Sequence, residues 1–407
     1  MSGDSSAKGN PRRGLSTNIR YIEPSVTLAI NQEAQRRRTA GEDVIDLSAG
    51  EPDFATPQLA ADAAIRAIHQ GKTKYPPNAG ILELRVAVAR NLSLLSGGRP
   101  VNADNLVIST GAKQSLFNAC FTLFGAGDRV LIPSPHWVSY PPIVHLSRAE
   151  PVLVPGDIEW SLKVGVEDLE AASDSSTRGV LMCTPVNPTG AVYTRAELKK
   201  IAEWTHDKGV WLISDEVYRL IHYGQGPAPS VLDLPDNLLE KVVVVYGASK
   251  AYAMTGWRIG AALAPHQIAK AMASVQSHTT SGASHPAQWA AATAFSERRV
   301  DEEVSHMVEQ FWRRRDLVVD YFRSKMHGVE FIEPLGAFYF FFRVDKYFSE
   351  GGDGALGFCE RLLAQEGVAL VPGDAFGDKR WVRMSYAASE KSISSALRRL
   401  SSFVAGL

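Results

Sequence analysis

The sequence predicts an α/β fold, with a mostly parallel sheet flanked by helices in a large domain and a smaller α+β domain. Between about residues 107 and 264, short apolar runs alternate with segments of helical periodicity, the pattern of successive βα-units. The chain is 45% hydrophobic, and its length of 407 residues exceeds what one hydrophobic core usually organises. The last third changes to long charged helical segments and an aromatic-rich strand at 337–342. Two domains are therefore expected.

The individual elements can be read from their apolar patterns and end signals. The runs expected as strands are 106–109, 129–132, 180–183, 210–214 and 242–246. A helix with a one-sided apolar stripe follows Thr110 and stops at Gly125. A second helix opens with Thr194 and Glu197 in capping-box spacing and closes at Gly209. We expect a disordered leader at 1–13, an N-terminal segment at 14–57 that packs with the small domain, the large domain at 58–309 and the small C-terminal domain at 310–407.

Charge and composition exclude several functional classes. Forty-three basic and forty-four acidic residues give a net charge of −1, so no overall field attracts nucleic acid or an anionic membrane. No apolar run reaches the roughly 20 residues that span a bilayer. Three separated cysteines indicate neither a disulfide framework nor a metal site. We expect a cytoplasmic protein with a small-molecule partner.

Polar or unusual residues follow the predicted strands, where ligands bind in open α/β sheets. Gly111, Ala112 and Lys113 form a small-residue turn into a helix N-terminus, which suits a phosphate but also occurs in ordinary βα turns. Trp137 could face a planar ring or be a partly buried tryptophan in a proline-bent loop. Asn187 lies in a turn fixed by two prolines and a glycine, and a plain turn is the alternative.

Two further strand ends carry ionisable residues. Asp215 comes directly after a buried strand and Tyr218 lies three residues on; a helix N-cap aspartate is the alternative interpretation. Lys250 follows an apolar strand and three small residues. This is unusual, because lysine is normally kept exposed. Arg258 follows eight residues later.

Together these segments resemble the aspartate family of pyridoxal-phosphate-dependent aminotransferases (fold type I), closest to the bacterial aspartate/prephenate aminotransferases. The resemblance extends over nearly all the chain from about residue 14. Its most specific stretches are Ser-Ala-Gly-Glu-Pro-Asp-Phe at 48–54, Lys-Thr-Lys-Tyr at 72–75, Asn-Pro-Thr-Gly at 187–190, Ser-Lys at 249–250 and Val-Arg-Met-Ser-Tyr at 382–386. Their order and separations all agree with the family.

The resemblance implies a role for each candidate residue. Lys250 would hold the cofactor, pyridoxal 5′-phosphate, as a Schiff base and then act as general base and acid. Asp215 would keep the pyridine nitrogen protonated, so that the ring accepts electrons. The other implied contacts are Tyr218 and Asn187 to the ring 3′ oxygen, Trp137 stacked on the ring, and Arg258, Ser249, Gly111 and Ala112 at the phosphate. Arg383, helped by Gly50 and Asn187, would bind the substrate α-carboxylate.

The same resemblance implies a homodimer with shared active sites. Tyr75 would reach the phosphate from the second subunit, and the segment at 277–281 also has no evident place in its own subunit's site. The substrates would be amino acids and 2-oxo acids.

The choice of amino donor depends on two positions. Bacterial aspartate aminotransferases have a lysine at the position of Lys113, which is thought to contact the acidic side chain. Many of those relatives also have a lysine where this chain has Glu23, just before Pro24. We favour aspartate with 2-oxoglutarate, and keep a broader aromatic, prephenate or alanine specificity as the alternative.

Three other functions are alternatives to this interpretation. A lyase on the same fold would share the early cofactor chemistry. A ligand-sensing domain of a transcription regulator would carry a DNA-binding module, whereas only about fourteen residues precede the predicted fold. A nicotinamide-dependent dehydrogenase is not indicated, because no Gly-x-Gly-x-x-Gly follows a predicted strand.

Overall fold

The computed structural model describes residues 16–348, except 20 and 25, and residues 353–407. The leader predicted at 1–13 lies outside the described residues. The strands, in chain order, are β1 (Ile45–Asp46), β2 (Leu106–Thr110), β3 (Arg129–Ser134), β4 (Glu150–Pro155), β5 (Thr177–Cys183), β6 (Trp211–Asp215), β7 (Val242–Gly247), β8 (Ile259–Leu263), β9 (Phe331–Ile332), β10 (Tyr339–Arg343), β11 (Val368–Ala369), β12 (Val371–Pro372) and β13 (Trp381–Ser385). The α-helices are α1 (Val26–Thr39), α2 (Gln58–His69), α3 (Leu82–Leu95), α4 (Ala112–Leu123), α5 (Tyr140–Leu146), α6 (Val166–Ala172), α7 (Arg195–Lys208), α8 (His266–Ser277), α9 (His285–Ser296), α10 (Arg298–Lys325), α11 (Gly354–Glu366) and α12 (Glu390–Ala405).

The central sheet has seven strands in the order β2-β8-β7-β6-β5-β3-β4. Strand β8 is antiparallel to both of its neighbours, and all other pairs are parallel. The predicted α/β class with a mostly parallel sheet is therefore confirmed. Because they run in the same direction, β2, β3, β5, β6 and β7 bring their carboxyl ends to one edge of the sheet.

Two strands of this sheet were not predicted from the sequence. The edge strand β4 contains Pro151 and Pro155, and proline is tolerated at an edge because its missing N–H need not bond to a neighbour. Strand β8 (Ile-Gly-Ala-Ala-Leu) follows directly on the loop that carries Arg258 and consists mainly of glycine and alanine, which are depleted in strands.

Both faces of the sheet are buried, which explains the continuous apolar runs. In β7, Val243 and Val245 pack into a cluster with α4, α5, α8 and the C-terminal elements. The alternate residues Val242 and Val244 pack into a second cluster with α2, α3, α7 and α9. Each valine that is fully buried in this way stabilises the fold by roughly 1.5–3 kcal/mol.

Helix α7 begins and ends where its sequence signals predict. The Thr194 hydroxyl accepts a 3.2 Å hydrogen bond from the Glu197 backbone N–H, and the Glu197 carboxylate accepts a 2.7 Å bond from the Thr194 N–H. Gly209 ends the helix at φ 67°, a left-handed conformation that glycine adopts at little cost.

The C-terminal part forms a four-stranded sheet in the order β12-β13-β10-β9. Strand β1 pairs in parallel with β11, and the Ser385 N–H donates a 2.8 Å hydrogen bond to the Leu47 carbonyl. Helix α10 runs unbroken past residue 309, and the division into 14–57, 58–309 and 310–407 stays a prediction. Within the described part of the chain, no helix combines the length and apolar character that crossing a membrane requires.

Candidate active site

A cavity of about 510 Å³ opens at the carboxyl ends of the central strands. All the candidate residues line it except two, and they come from seven separate stretches of the chain. The lining residues are Gly50, Ala112, Lys113, Trp137, Asn187, Asp215, Tyr218, Ser249, Lys250, Arg258 and Arg383. Of the other two, Gly111 is the N-cap of α4, and Tyr75 is 92% exposed on the surface.

Lys250 projects into this cavity from the loop after β7. Its side-chain amine donates a 2.6 Å hydrogen bond to the Gly50 backbone carbonyl. Burial lowers the pKa of Lys250 to about 8, and the positive charge of Arg383 acts in the same direction. More of this amine is therefore uncharged near neutral pH than in an ordinary lysine, which is what nucleophilic attack on a carbonyl requires.

Asp215 is the last residue of β6 and is only 3% exposed. Burial raises the pKa of its carboxyl group to about 6, although a hydrogen bond from Tyr140 opposes that change. The Tyr140 hydroxyl donates to Oδ2 of Asp215 at 2.8 Å, and the Val217 N–H donates to Oδ1 at 3.3 Å. The two donors fix the carboxylate at the floor of the cavity.

Tyr218 lies three residues beyond Asp215 and also lines the cavity. Its hydroxyl is 2.8 Å from the hydroxyl of Tyr339, and both rings are buried. The Lys250 amine lies 5.8 Å from the centre of the Tyr218 ring. A phenol, an amine and a carboxylate thus face one enclosed volume.

A cradle for an anion forms where α4 begins. Gly111 has a positive φ of 79°, and a Cβ atom at this residue would lie 2.4 Å from Nη2 of Arg258. A Cβ atom at Gly260 would lie 2.2 Å from the Ala112 nitrogen. Both glycines therefore allow the helix N-terminus and the guanidinium to approach closely. The free N–H groups and dipole of the helix favour a phosphate here.

A second cationic position lies at the other sheet. Arg383 is on β13 and is 3% exposed. Its guanidinium donates to Oδ1 of Asn187 at 3.1 Å and to the Ser48 carbonyl at 2.8 Å. The Tyr339 ring centre lies 4.3 Å from its central carbon. Among the described residues, its buried Nε has no hydrogen-bond partner, so the group retains capacity to bind a carboxylate.

Lys113 and Glu23, which bear on the substrate, occupy different surroundings. The Lys113 amine lies 4.9 Å from the centre of the Trp137 ring, and burial and the nearby Arg258 lower its pKa. Glu23 is exposed and is not among the residues that line the cavity. Of the two, Lys113 alone lines the cavity.

Sequence reasoning missed further residues that line the cavity, among them Tyr140, Tyr339, Thr27 and Asn31. Tyr140 lies one turn beyond Trp137 in the same loop and α5, and this spacing was the available signal. Tyr339 lies in the aromatic-rich strand predicted at 337–342, for which no place in the site was predicted. Thr27 and Asn31 come from α1, and Asn31 donates a 3.1 Å hydrogen bond to Asp46; nothing in the sequence of α1 indicated a place in the site.

In 16–348 and 353–407, apart from 20 and 25, no cluster of three His, Cys, Asp or Glu side chains is placed to hold a metal ion. The three cysteines are buried as free thiols.

Comparison with known proteins places this constellation in a family. The family model of the class I and II aminotransferases matches residues 42–400. The chain belongs to this family. It is 40% identical over 390 residues to a probable aspartate/prephenate aminotransferase of Aquifex aeolicus, with 96% of this chain and 98% of the relative aligned. It is 38% identical over 391 residues to the aspartate aminotransferase of Geobacillus stearothermophilus, with 96% of this chain and 98% of the relative aligned.

Solved structures agree with the sequence comparison. The aspartate aminotransferase from Thermus thermophilus with maleate superposes with a TM-score of 0.89 at 37% identity, covering 96% of this chain and 99% of the other. The enzyme from Thermotoga maritima gives a TM-score of 0.88 at 37% identity, covering 96% of this chain and all of the other. The predicted fold type I architecture is confirmed.

Aminotransferases of this family depend on pyridoxal 5′-phosphate, and the residues of the cavity fit that group. The cavity offers an amine with a lowered pKa for the aldehyde and a buried carboxylate for the pyridine nitrogen. It also offers a helix N-terminus beside Arg258 for the phosphate, in a cradle that Cβ atoms at two glycines would fill. This aminotransferase therefore has a matched group for each end of the cofactor.

Proposed function

We propose that this aminotransferase moves the amino group of L-aspartate to 2-oxoglutarate, and that Lys250 binds the cofactor aldehyde covalently. The observation that carries the dicarboxylate part is the pair of cations in one cavity. Arg383 lies beside Asn187, and Lys113 lies over Trp137. A substrate with two carboxylates can engage both.

Arg383 and Asn187 hold the α-carboxylate of the substrate in this proposal. The guanidinium presents a planar pair of donors, and Asn187 already contacts one of its nitrogens. Gly50 leaves room beside them, because any side chain there would press on the Tyr339 hydroxyl, which lies 3.3 Å from the position of a Cβ atom. Fixing the carboxylate in this way orients the Cα–H bond of the substrate for proton removal.

When bound, the cofactor accepts the electrons that remain when the substrate loses its Cα proton. Lys250, freed by the incoming amino group, would remove that proton from Cα and deliver it to the cofactor carbon that carried the aldehyde. Its lowered pKa leaves part of the amine uncharged and able to accept a proton. Asp215 provides the negative charge at the pyridine nitrogen, and Tyr140 holds that carboxylate in place.

The remaining groups anchor the cofactor. The amides at Gly111 and Ala112, the Ser249 hydroxyl and the Arg258 guanidinium hold the phosphate. Trp137 faces the cofactor ring, and the Lys113 amine lies over the Trp137 indole. Tyr218 and Asn187 donate to the ring 3′ oxygen.

A second specificity is favoured by the names of relatives. The Aquifex aeolicus relative is named for both aspartate and prephenate. A Petunia hybrida relative that is 40% identical over 395 residues is named as a bifunctional aspartate and glutamate/aspartate-prephenate enzyme. Prephenate also carries two carboxylates, so the same pair of cations suits it. Broader aromatic or alanine specificity remains the alternative if Lys113 does not contact the substrate.

The proposal includes a homodimer in which Tyr75 reaches the second subunit's phosphate site. Tyr75 is 92% exposed, although aromatic residues usually bury most of their surface. Large apolar side chains of α2 and α3 are also at least half exposed: Ile65, Ile68, Leu82 and Val86. Exposed apolar groups on successive elements are typical of an interface. The cytoplasmic location stays a prediction.

Covalent trapping tests the role of Lys250. Borohydride reduction of the holoenzyme, followed by peptide mapping, is expected to find the cofactor on Lys250. Lys113 and Lys74 serve as internal controls, and attachment to either would overturn the assignment. A Lys250→Ala variant is expected to bind the cofactor without a reducible bond.

A donor screen tests the reaction and the substrate. With 2-oxoglutarate as acceptor, kcat/KM is expected to be highest for aspartate among the proteinogenic amino acids. In the absence of any oxo acid, aspartate alone is expected to convert the bound cofactor fully to its amine form. Steady release of ammonia instead would indicate a lyase.

A further inference from the structure

Tyr339 connects the two halves of the site, and none of the proposed roles assigns it a task. It lies on β10, opposite Ser385 of β13, and its ring is 1% exposed. Its hydroxyl is 2.8 Å from that of Tyr218. Its ring lies under the Arg383 guanidinium, with 4.3 Å between the ring centre and the central carbon. One side chain therefore touches both the phenol and the guanidinium of the proposed site.

The donor in the hydrogen bond between the Tyr218 and Tyr339 hydroxyls can be assigned by counting protons. A tyrosine hydroxyl has one proton to donate. If Tyr218 donates that proton to the cofactor's 3′ oxygen, as the proposed function requires, it can only accept from Tyr339. Hydrogen bonds in such a chain strengthen one another. Tyr339 then makes Tyr218 a better donor to the ring oxygen.

The ring contact acts on a different group. Arg383 is only 3% exposed, and this burial lowers the pKa of its guanidinium. The face of an aromatic ring attracts a guanidinium and also limits its orientation. The Phe376 ring is another neighbour, with its centre 4.9 Å from the central carbon of Arg383. The Tyr339 ring therefore helps to hold Arg383 towards Asn187.

We propose that Tyr339 is a positioning residue with two separable tasks. Its hydroxyl orients the Tyr218 hydroxyl towards the cofactor, and its ring fixes Arg383 for the substrate carboxylate. The inference rests on the proposed roles of Tyr218 and Arg383. Because the two tasks depend on different atoms of one side chain, two substitutions can separate them.

Tyr339→Phe removes only the hydroxyl. Without the Tyr339 hydroxyl, Tyr218 is a weaker donor to the cofactor's 3′ oxygen. The negative charge of that oxygen then holds the proton on the nitrogen between Lys250 and the cofactor more strongly. The pH midpoint of the holoenzyme's absorbance change is therefore expected to rise by about half to one unit, the size of one neutral hydrogen bond. The Kd for maleate, measured by absorbance titration, is expected to stay within about twofold, because the ring remains under Arg383.

Tyr339→Leu removes the ring as well. The midpoint is expected to rise as in Tyr339→Phe, and the Kd for maleate to rise roughly tenfold. Tyr193→Phe is the matched control, because the Tyr193 hydroxyl is also buried and accepts a 3.0 Å hydrogen bond from the Val164 N–H outside the cavity. This control is expected to change neither quantity.

The outcomes separate this inference from the function beneath it. An unshifted midpoint in Tyr339→Phe, or an unchanged maleate Kd in Tyr339→Leu, would overturn the corresponding task. Equal changes of both quantities in Tyr339→Phe would overturn the separation and indicate a general structural role. A wild-type protein that shows no cofactor absorbance change with pH, or binds no maleate, would overturn the proposed function itself.

Discussion

The Tyr140 hydroxyl donates a 2.8 Å hydrogen bond to Oδ2 of Asp215, and both side chains are buried. Burial raises the pKa of Asp215 to about 6, and this bond lowers it. In Tyr140→Phe, the pKa of Asp215 is therefore expected to rise further, which leaves less carboxylate in the apo-protein near neutral pH. We expect about tenfold weaker cofactor binding at pH 6.5, from the loss of one bond to a charged acceptor.

Because a carboxyl group ionises as pH rises, the loss of cofactor affinity in Tyr140→Phe is expected to shrink towards pH 8.5. The measurement is the Kd of pyridoxal phosphate for apo-protein across this range. Equal deficits at all pH values would mean that Tyr140 acts by packing and not through the charge of Asp215.

Asp215 is expected to contribute to turnover more than to anchoring. Asp215→Ala and the neutral, similarly shaped Asp215→Asn are both expected to lower kcat by roughly a hundredfold or more, because the negative charge opposite the pyridine nitrogen is lost. Much of the cofactor is expected to stay bound through the phosphate cradle. Cofactor content and single-turnover rates measure the two effects separately, and near-normal turnover in Asp215→Asn would contradict the role of the charge.

Lys250 is expected to reduce the stability of the apo-protein. Its pKa is about 8 in the folded chain, and about 10.4 in an unfolded one. Below pH 8 the amine is charged in both states, so the folded state bears the full cost of burying it. Between pH 8 and 10.4 the folded amine is neutral while the unfolded amine is still charged, and the cost fades.

At pH 7, the free energy of unfolding of apo Lys250→Met is therefore expected to exceed that of the wild-type apo-protein by roughly 2 kcal/mol, after allowing for the lost hydrogen bond to Gly50. The gain is expected to diminish by pH 10. Urea unfolding at several pH values measures it. Lys200→Met is the control, because Lys200 is an exposed residue of α7. A gain in stability that does not vary with pH would disagree with the cost of a buried charge.

Lys113 is expected to distinguish acidic donors from neutral ones. Lys113→Met should lower kcat/KM for aspartate roughly ten- to a hundredfold, because the distal carboxylate loses its cation, and change it little for phenylalanine. The same Lys200→Met variant controls for general charge effects. Equal losses on both donors would assign Lys113 to the cofactor or the fold, and the acidic-substrate proposal would be dropped.

The shared-site dimer can be tested by mixing subunits. Lys250→Ala and Tyr75→Ala homodimers are each expected to be impaired. If Tyr75 acts across the interface, a hybrid places both lesions in one site and leaves the other intact. An equal mixture after subunit exchange should then recover about a quarter of wild-type activity. No recovery from a mixture shown to contain hybrids would place Tyr75 in its own subunit or outside the site.

The sequence predicted those parts of the site that lie immediately after strands. Lys250 and Asp215 follow apolar runs, and the sheet brings such ends together whatever the details of packing. The loop residue Tyr140 and the strand residue Tyr339 were not found, because their neighbours become visible only when separate elements pack. A tyrosine in an aromatic strand has the same sequence pattern whether its hydroxyl faces the core or a ligand.

Individual elements of the fold were missed for a related reason. Strand β4 tolerates its prolines because it lies at the edge of the sheet, and edge position is a property of strand order. The β1–β11 pair consists of two residues on each side, too few to leave a periodic pattern. Long-range pairing determined both elements, whereas local propensity determined α7.

The contact between Arg383 and Asn187 joins the two sheets, since Arg383 is on β13 and Asn187 lies in the turn after β5. A ligand carboxylate at this point binds both sheets at once. Decarboxylated amines such as tyramine lack that bridging group, although their amino and aromatic parts could enter the cavity. If Arg383 and Asn187 hold the α-carboxylate as proposed, such amines are expected to be poor donors, because a molecule without that group contacts only one of the two sheets.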